Sequence, residues 1–248
     1  MQKLLFSSIF FILFSINSFS QTFGFGCLGL SGFYAGITQQ QYESIGIKEY
    51  LFPETINNPN LTTEFDFKQA TGYRFGANIF RARFAKAFIT AKGYYQFLKE
   101  SHTRQISSDI NNEKKNKYEL SMNHWGVGLD FGFPIFSILD IKLLEGHVTF
   151  MNPEFNTEVL DMNNNILEED KIAADKVKIG YFVGSGLILH LIPDYVSIEA
   201  TAGYSFFVID KFYDDNNNLI IPVSSSKNNA VNKSKFSATV QLNVGFPL

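Results

Sequence analysis

Glu145, His147 and Thr149 stand at alternate positions, so an extended backbone puts a carboxylate, an imidazole and a hydroxyl on one face. That set could perform nucleophilic hydrolysis: the imidazole takes the hydroxyl proton and the acid orients the ring. The nucleophile here would be a threonine, and no His-x-Ser occurs at His102, His124, His147 or His190. Same-face neighbours on a strand are also ordinary. A lipid-modifying hydrolase and an unreactive face therefore both stay open. Two other runs, Asp161-Met162-Asn163-Asn164-Asn165 and Asp214-Asp215-Asn216-Asn217-Asn218, resemble calcium loops. Ile166 and Leu219 stand where a calcium loop needs glycine, and no closing Glu is spaced correctly. The better reading is two hairpin turns, since Glu158-Val159-Leu160 and Ile166-Leu167-Glu168 flank one run, and Lys211-Phe212-Tyr213 and Leu219-Ile220-Ile221 the other. No catalytic, cofactor-binding or metal-binding residue is assigned, and no cofactor is expected.

The elements that must position these groups alternate in period two. The clearest is the last: Phe236, Ala238, Val240, Leu242, Val244 and Phe246 interleave with Ser237, Thr239, Gln241, Asn243 and Gly245. Similar faces run through 65–80, 176–191 and 196–208. Less regular segments cover 26–41, 84–98, 118–133 and 140–150, which makes eight strands. In 118–133 the apolar residues change face, from Tyr118, Leu120 and Met122 to Trp125, Val127, Leu129 and Phe131. Either a bulge or the point where the strand leaves a membrane accounts for that change. Short connections at 81–83, 134–139 and 192–195 alternate with long ones at 43–64, 99–117, 151–175 and 209–235. All seven prolines and the Asn clusters fall outside these expected strands. Loops of that length are unusual in a compact soluble domain and normal on one side of an outer-membrane barrel.

The N-terminus is an export signal by its pattern. Lys3 precedes an apolar run from Leu4 to Ile16, and Ser18-Phe19-Ser20 supplies a small-x-small cleavage site. Residues 1–20 are expected to be a cleaved signal peptide and 21–248 a single barrel domain. Cys27 is the only cysteine, which excludes an internal disulfide. The net charge is −3 and charged residues are 18%, which argues against a nucleic-acid partner and against disorder. Aromatic residues reach 16%, with 27 Phe, yet mean hydropathy is −0.02.

Glycine decides which face points inward. Gly72, Gly76, Gly126, Gly128, Gly132, Gly180, Gly184, Gly186, Gly203 and Gly245 lie on the polar faces. Glycine weakens a solvated strand, but the interior of an eight-stranded barrel is narrow and needs small residues. The polar faces therefore point inward, and the Phe, Leu and Val faces meet lipid. Phe80, Phe84, Phe133, Phe136, Tyr195 and Phe246 form one expected aromatic girdle near the short turns. Phe65, Phe67, Tyr95, Phe97, Tyr118 and Phe206 form another near the long loops. Inward charges fall into two layers of mixed sign: Lys86, Asp130, His190 and Glu199 below, and Arg74, Lys92, Glu145 and His147 in the middle. They read as a salt-bridge network that plugs the barrel, or as a narrow polar path for a small solute.

With its signal, strand count, loop asymmetry and final strand Phe236–Phe246, the chain resembles the small eight-stranded outer-membrane barrels of OmpA type and OmpX type. The resemblance implies an eight-stranded antiparallel transmembrane up-and-down β-barrel, all-β, in the outer membrane of a Gram-negative bacterium. It implies outer-membrane lipid and the barrel assembly machinery as partners, and a monomer. Hairpins above the membrane, with a basic loop at 99–117 and an acidic one at 151–175, leave sheet edges or aromatic patches for an extracellular protein or surface ligand. A structural or surface-interaction role is expected, with a narrow channel and a lipid-modifying hydrolase as alternatives.

Overall fold

The structure, a computed structural model, describes residues 22–23, 31–58, 61–84, 86–106, 114–161, 163–193, 195–223 and 225–245. The expected signal peptide, Cys27 and the terminal Phe246-Pro247-Leu248 lie outside them. Eight antiparallel strands close into a ring: β2 (Gly32–Glu43), β3 (Gln69–Phe84), β4 (Ala87–Ile106), β5 (Lys114–Phe136), β6 (Leu139–Leu160), β8 (Lys178–Ile192), β9 (Val196–Phe206) and β12 (Lys233–Gly245). β12 pairs with both β9 and β2, so the ring has no free edge. Short β1 (Thr22–Phe23) adds to the lower end of β3. β7 (Ile166–Ala173), β10 (Phe212–Tyr213) and β11 (Leu219–Ile221) extend a sheet above the ring from β6. The ring is staggered. Ladder partners lead from Val244 through Phe33, Ala77, Gly93, Val127, Val148 and Tyr181 to Phe206. Phe206 lies two residues past Tyr204, the partner of Phe236, so one circuit climbs most of β12. Such a stagger is what tilts strands in a closed barrel.

The strands are longer than their alternation suggests. The connection expected at 81–83 is strand, and β3 and β4 pair down to Phe84↔Ala87. The first ring strand is described from Gly32, and the expected start at 26 lies outside the described residues. The loops expected at 99–117 and 151–175 are mostly ladder: β4 pairs with β5 up to Ile106↔Lys114, and β6 with β7 up to Leu160↔Ile166. The Asn runs are tight turns, as read. Asp161 Oδ1 accepts from the backbone N–H of Asn163 and of Asn165, both at 2.8 Å, with Asn164 at φ 62°. Asp214 does the same for Asn216 (3.0 Å) and Asn218 (2.7 Å), with Asn217 at φ 66°. Asparagine tolerates the left-handed region that both turns need. The long connection after β2 holds a short helix, α1 (Ile45–Leu51), and one 3-10 turn, Pro53–Thr55.

The ring has two storeys of opposite polarity. In the lower storey, apolar side chains point outward: Ile37, Tyr73, Phe75, Val127, Leu129, Val183, Leu187, Val240 and Leu242 are exposed. Polar side chains such as Thr38, Gln96, Thr201, Thr239 and Gln241 are buried inside. This is the architecture of a transmembrane β-barrel, in which only a closed ladder satisfies the backbone in lipid. Among the described residues no helix is long and apolar enough to cross a membrane.

In the upper storey the polarity reverses. Leu98, Leu120, Met122, Met151, Phe155, Ile172, Ile209, Phe212 and Ile221 form a buried core with Ile47 of α1. The outward neighbours there are Lys99, Ser101, Ser121, Asn152 and Glu154. The face change in 118–133 therefore marks where β5 leaves the lipid belt. No register shift occurs there, which removes the bulge alternative. The girdle expected from Phe65, Phe67 and Tyr118 is corrected accordingly. Phe65 and Phe67 precede β3, Phe67 is buried in the upper core, and Phe65 and Tyr118 pack against it. The exposed aromatics at the top of the belt include Tyr73, Phe97, Trp125, Phe150, Tyr181, Tyr204, Phe206 and Phe236.

Candidate functional site: a charge-matched interior

The inward residues of β3, β4, β5, β6 and β9 converge halfway up the belt. Lys92 Nζ reaches Asp130 at 2.5 Å and Glu199 at 2.6 Å. Lys142 Nζ meets Glu199 at 2.5 Å, pairs with Glu145, and lies 3.8 Å from Asp130. Arg74 completes the set, 3.9 Å from Glu145 and donating through Nε to Gln96 at 2.6 Å. Three cations (Arg74, Lys92, Lys142) thus face three carboxylates (Asp130, Glu145, Glu199). His147 Nε2 lies 2.5 Å from Glu145, and its Nδ1 is 3.2 Å from the Tyr94 hydroxyl. Thr201 donates to Glu145 at 2.9 Å. Charges taken out of water are tolerated when paired and further hydrogen-bonded, and each of these is paired.

Of the eight residues expected in a luminal network, the structure gathers Arg74, Lys92, Asp130, Glu145, His147 and Glu199 into this one cluster. The two expected layers merge: Lys92 and Arg74 meet the carboxylates of Asp130 and Glu199 or Glu145 directly. His190 sits lower and apart, 2.9 Å from Asp140, which also lies 3.8 Å from Arg81. Lys86 is not in the interior. It lies exposed in the β3–β4 turn, because both strands run further than their alternation indicates.

Lys142, fully buried at the centre, was not read from the sequence. Counting alternately from Glu145 turns Leu143 inward and Lys142 outward. The ladder shifts between Lys142 and Glu145: Leu144 pairs with Phe131, Lys142 with Gly132, and Leu143 has no ladder partner. This bulge sends Leu143 and Leu144 both outward and leaves Lys142 and Glu145 both inside. The signal was present, since a Lys-Leu-Leu-Glu segment on a lipid-facing strand can shelter both charges only through a bulge.

Rings fill the space around the charges, and the inward glycines make room for them. A Cβ on Gly126 would lie 2.1 Å from the Tyr94 ring, and one on Gly203 2.8 Å from the Phe182 ring. Arg74 lies over Tyr94, 4.3 Å from its centroid, and Phe182 stacks on His147 at 5.1 Å. Above them, among the described residues, a cavity lined by Gln40, Tyr94, His124 and Phe207 measures about 20 Å³, the space of roughly one water. Asp130, Glu145 and His147 come within 4.8 Å of one another, the spacing of a metal ligand set. Lys92 and Lys142 already neutralise those carboxylates, so the donor set does not fit a resident cation. Glu145, His147 and Thr149 all point into this closed interior, and none meets lipid or solvent.

A closed eight-stranded antiparallel ring with an apolar exterior and a charged interior defines the class: a transmembrane β-barrel with charge-paired side chains turned inward. Among solved structures, the chain is similar to Ail, the attachment invasion locus protein of Yersinia pestis, in complex with the heparin analogue sucrose octasulfate. The identity is 12%, the cover 88% of this chain and 99% of Ail, and the TM-score 0.38. It is also similar to Neisserial surface protein A, at 13% identity, 88% and 99% cover and a TM-score of 0.41. A further match is the outer membrane protease OmpT of Escherichia coli, at 11% identity, 88% and 94% cover and a TM-score of 0.38. No protein-family model and no curated protein matches the sequence. The barrel rests on the chain's own closed ladder rather than on these low scores.

Proposed function

We propose that the chain is an outer-membrane barrel of a Gram-negative bacterium, exported by a cleaved signal peptide, that works as a structural or surface-interaction protein and catalyses no reaction. The observation that carries this reading is the upper storey. Strands β4 to β7 and the β10–β11 hairpin continue the wall above the belt around an apolar core, which makes a firm platform rather than loose loops. Its outer face is charged and mixed in sign: Lys99 pairs with Glu119 at 2.7 Å, Lys117 with Glu158 at 3.1 Å, and Lys171 with Glu154 at 2.7 Å. Its two Asn turns present Ile166, Leu167 and Leu219 exposed at the tips. The partner in this reading is an extracellular protein or surface ligand, beside outer-membrane lipid and the barrel assembly machinery.

The charge-matched lumen favours this reading over a channel. Burial of His147 and Thr149 favours it over a lipid hydrolase. The test replaces residues 161–165 and 214–218 by two-residue turns. The barrel should still migrate differently on a gel before and after boiling, while binding of a partner recovered by pull-down is lost. Unchanged pull-downs with both tips replaced would remove the surface reading. Discrete conductance steps in planar bilayers, altered by Arg74→Ala, would establish the channel instead.

A further inference from the structure

The outer wall carries a groove of about 1020 Å³ where the lipid belt ends, across β12, β2, β3, β4 and β5. Two chemistries meet in it. Ile37, Tyr73 and Phe97 line its lower part, and all three are exposed on the belt. Gln39 and Asn123 line its upper part, one step up the outward faces of β2 and β5. Lys99 is the single charged residue among its lining, and its side chain is 59% exposed although it also meets Glu119 at 2.7 Å. Here the backbone beside Gly72 and short side chains such as Thr71 and Ser121 leave a recess.

We propose that this groove holds a phosphorylated lipid of the outer leaflet. Its acyl chains lie along Ile37, Tyr73 and Phe97. Its phosphate meets Lys99, with the Gln39 and Asn123 amides as further donors. The chemistry matches both ends of such a molecule: apolar contact below the belt's edge, and above it neutral donors and an exposed cation that a phosphate would share with Glu119, itself also paired to Lys117 at 3.5 Å. A zwitterionic lipid would gain the apolar contact but would bring its own cation toward Lys99. The proposal rests on the membrane-spanning reading.

The chain supplies its own probe. Trp125 is the only tryptophan. It faces lipid two residues below Asn123, and Tyr95 bridges it to Phe97 with ring centroids 4.7 Å from each. The full-length protein would be refolded into phosphatidylcholine bilayers, with a small fraction of dibrominated phosphatidylcholine or dibrominated phosphatidic acid as quencher. Brominated phosphatidic acid should quench Trp125 with a relative binding constant about fivefold above that of phosphatidylcholine, the gain expected from one lysine at a membrane surface. Lys99→Gln should bring that ratio to about one, and Thr71→Phe with Ser121→Phe, which fill the recess from the lipid side, should do the same. Equal constants for the two lipids in the unaltered protein would overturn the site, as would a preference that survives both sets of substitutions. Absence of quenching by brominated phosphatidylcholine would instead overturn the membrane-spanning reading, and the site with it.

Discussion

Lys142 has no exposed surface and touches Glu145, Glu199 and Asp130, which makes it the most committed charge in the molecule. Removing one member of a buried ion cluster strands the others without compensation. Lys142→Met should therefore destabilise the refolded barrel by about 3–5 kcal/mol, read from the urea midpoint in lipid vesicles. Pairing it with Glu145→Gln should return part of that loss, because one stranded carboxylate is then neutral. Steric fit at this scale is as tight as charge balance. Gly126→Ala would drive a methyl into the Tyr94 ring. It should cost about 1–3 kcal/mol, and Tyr94→Ala in the same chain should relieve the clash while leaving its own cavity.

At the scale of elements, the two Asn turns act as acid-labile clips. Hydrogen bonds from the Asn165 and Asn218 side chains, reinforced by backbone N–H groups, hold the Asp161 and Asp214 carboxyls below the ordinary carboxylate range. A depressed folded value means that each carboxylate stabilises its turn at pH above the unfolded value. The contribution is lost as pH falls through the lower folded value. Amide resonances of Asn163, Asn165, Asn216 and Asn218 should therefore hold through neutral pH and move only below the normal Asp midpoint of 3.8. Asp161→Asn should abolish the movement in its own turn alone. These turns were legible in the sequence, because Asp and Asn at fixed offsets specify a turn locally. So were the ring's strands and six of the eight interior charges, since alternation is a local record of facing. What escaped alternation were events that change its phase. The Leu143 bulge hid Lys142, and the longer β3–β4 hairpin moved Lys86 to the surface. The upper core also escaped. Phe65 and Phe67 read as strand by their spacing, yet they fold inward from a connection, and nothing local distinguishes a lipid-facing ring from a core-facing one.

The whole molecule is built inside out below and outside in above, joined along the same continuous strands. Substitution tolerance should invert along one strand. On β5, Leu129→Lys faces the belt and should cost about 2–4 kcal/mol in bilayers. Ser121→Lys, on the same face above the belt, should change stability by less than about 0.5 kcal/mol. Met122→Ala, turned into the upper core, should again cost about 2–5 kcal/mol. Urea unfolding of the three variants in one vesicle preparation checks the order. Equal costs at Leu129 and Ser121 would mean that the belt does not end where the aromatic ring places it.

The sheet that rises above the ring is open, and open sheets outside a cell invite a neighbour's strand. Here both margins are closed to addition. Along β4, the Glu100 carboxylate takes the N–H groups of Lys68 and Gln69, His102 stacks on Phe65 at 4.8 Å, and Arg104 meets Glu64 at 3.1 Å, so the preceding segment lies over that margin. At the other margin β11 is only Leu219–Ile221 and stops at Pro222, which has no N–H to offer. In the proposed surface role, the molecule would display this rigid sheet without templating strand addition to itself, and a partner would be gripped by side chains rather than by backbone.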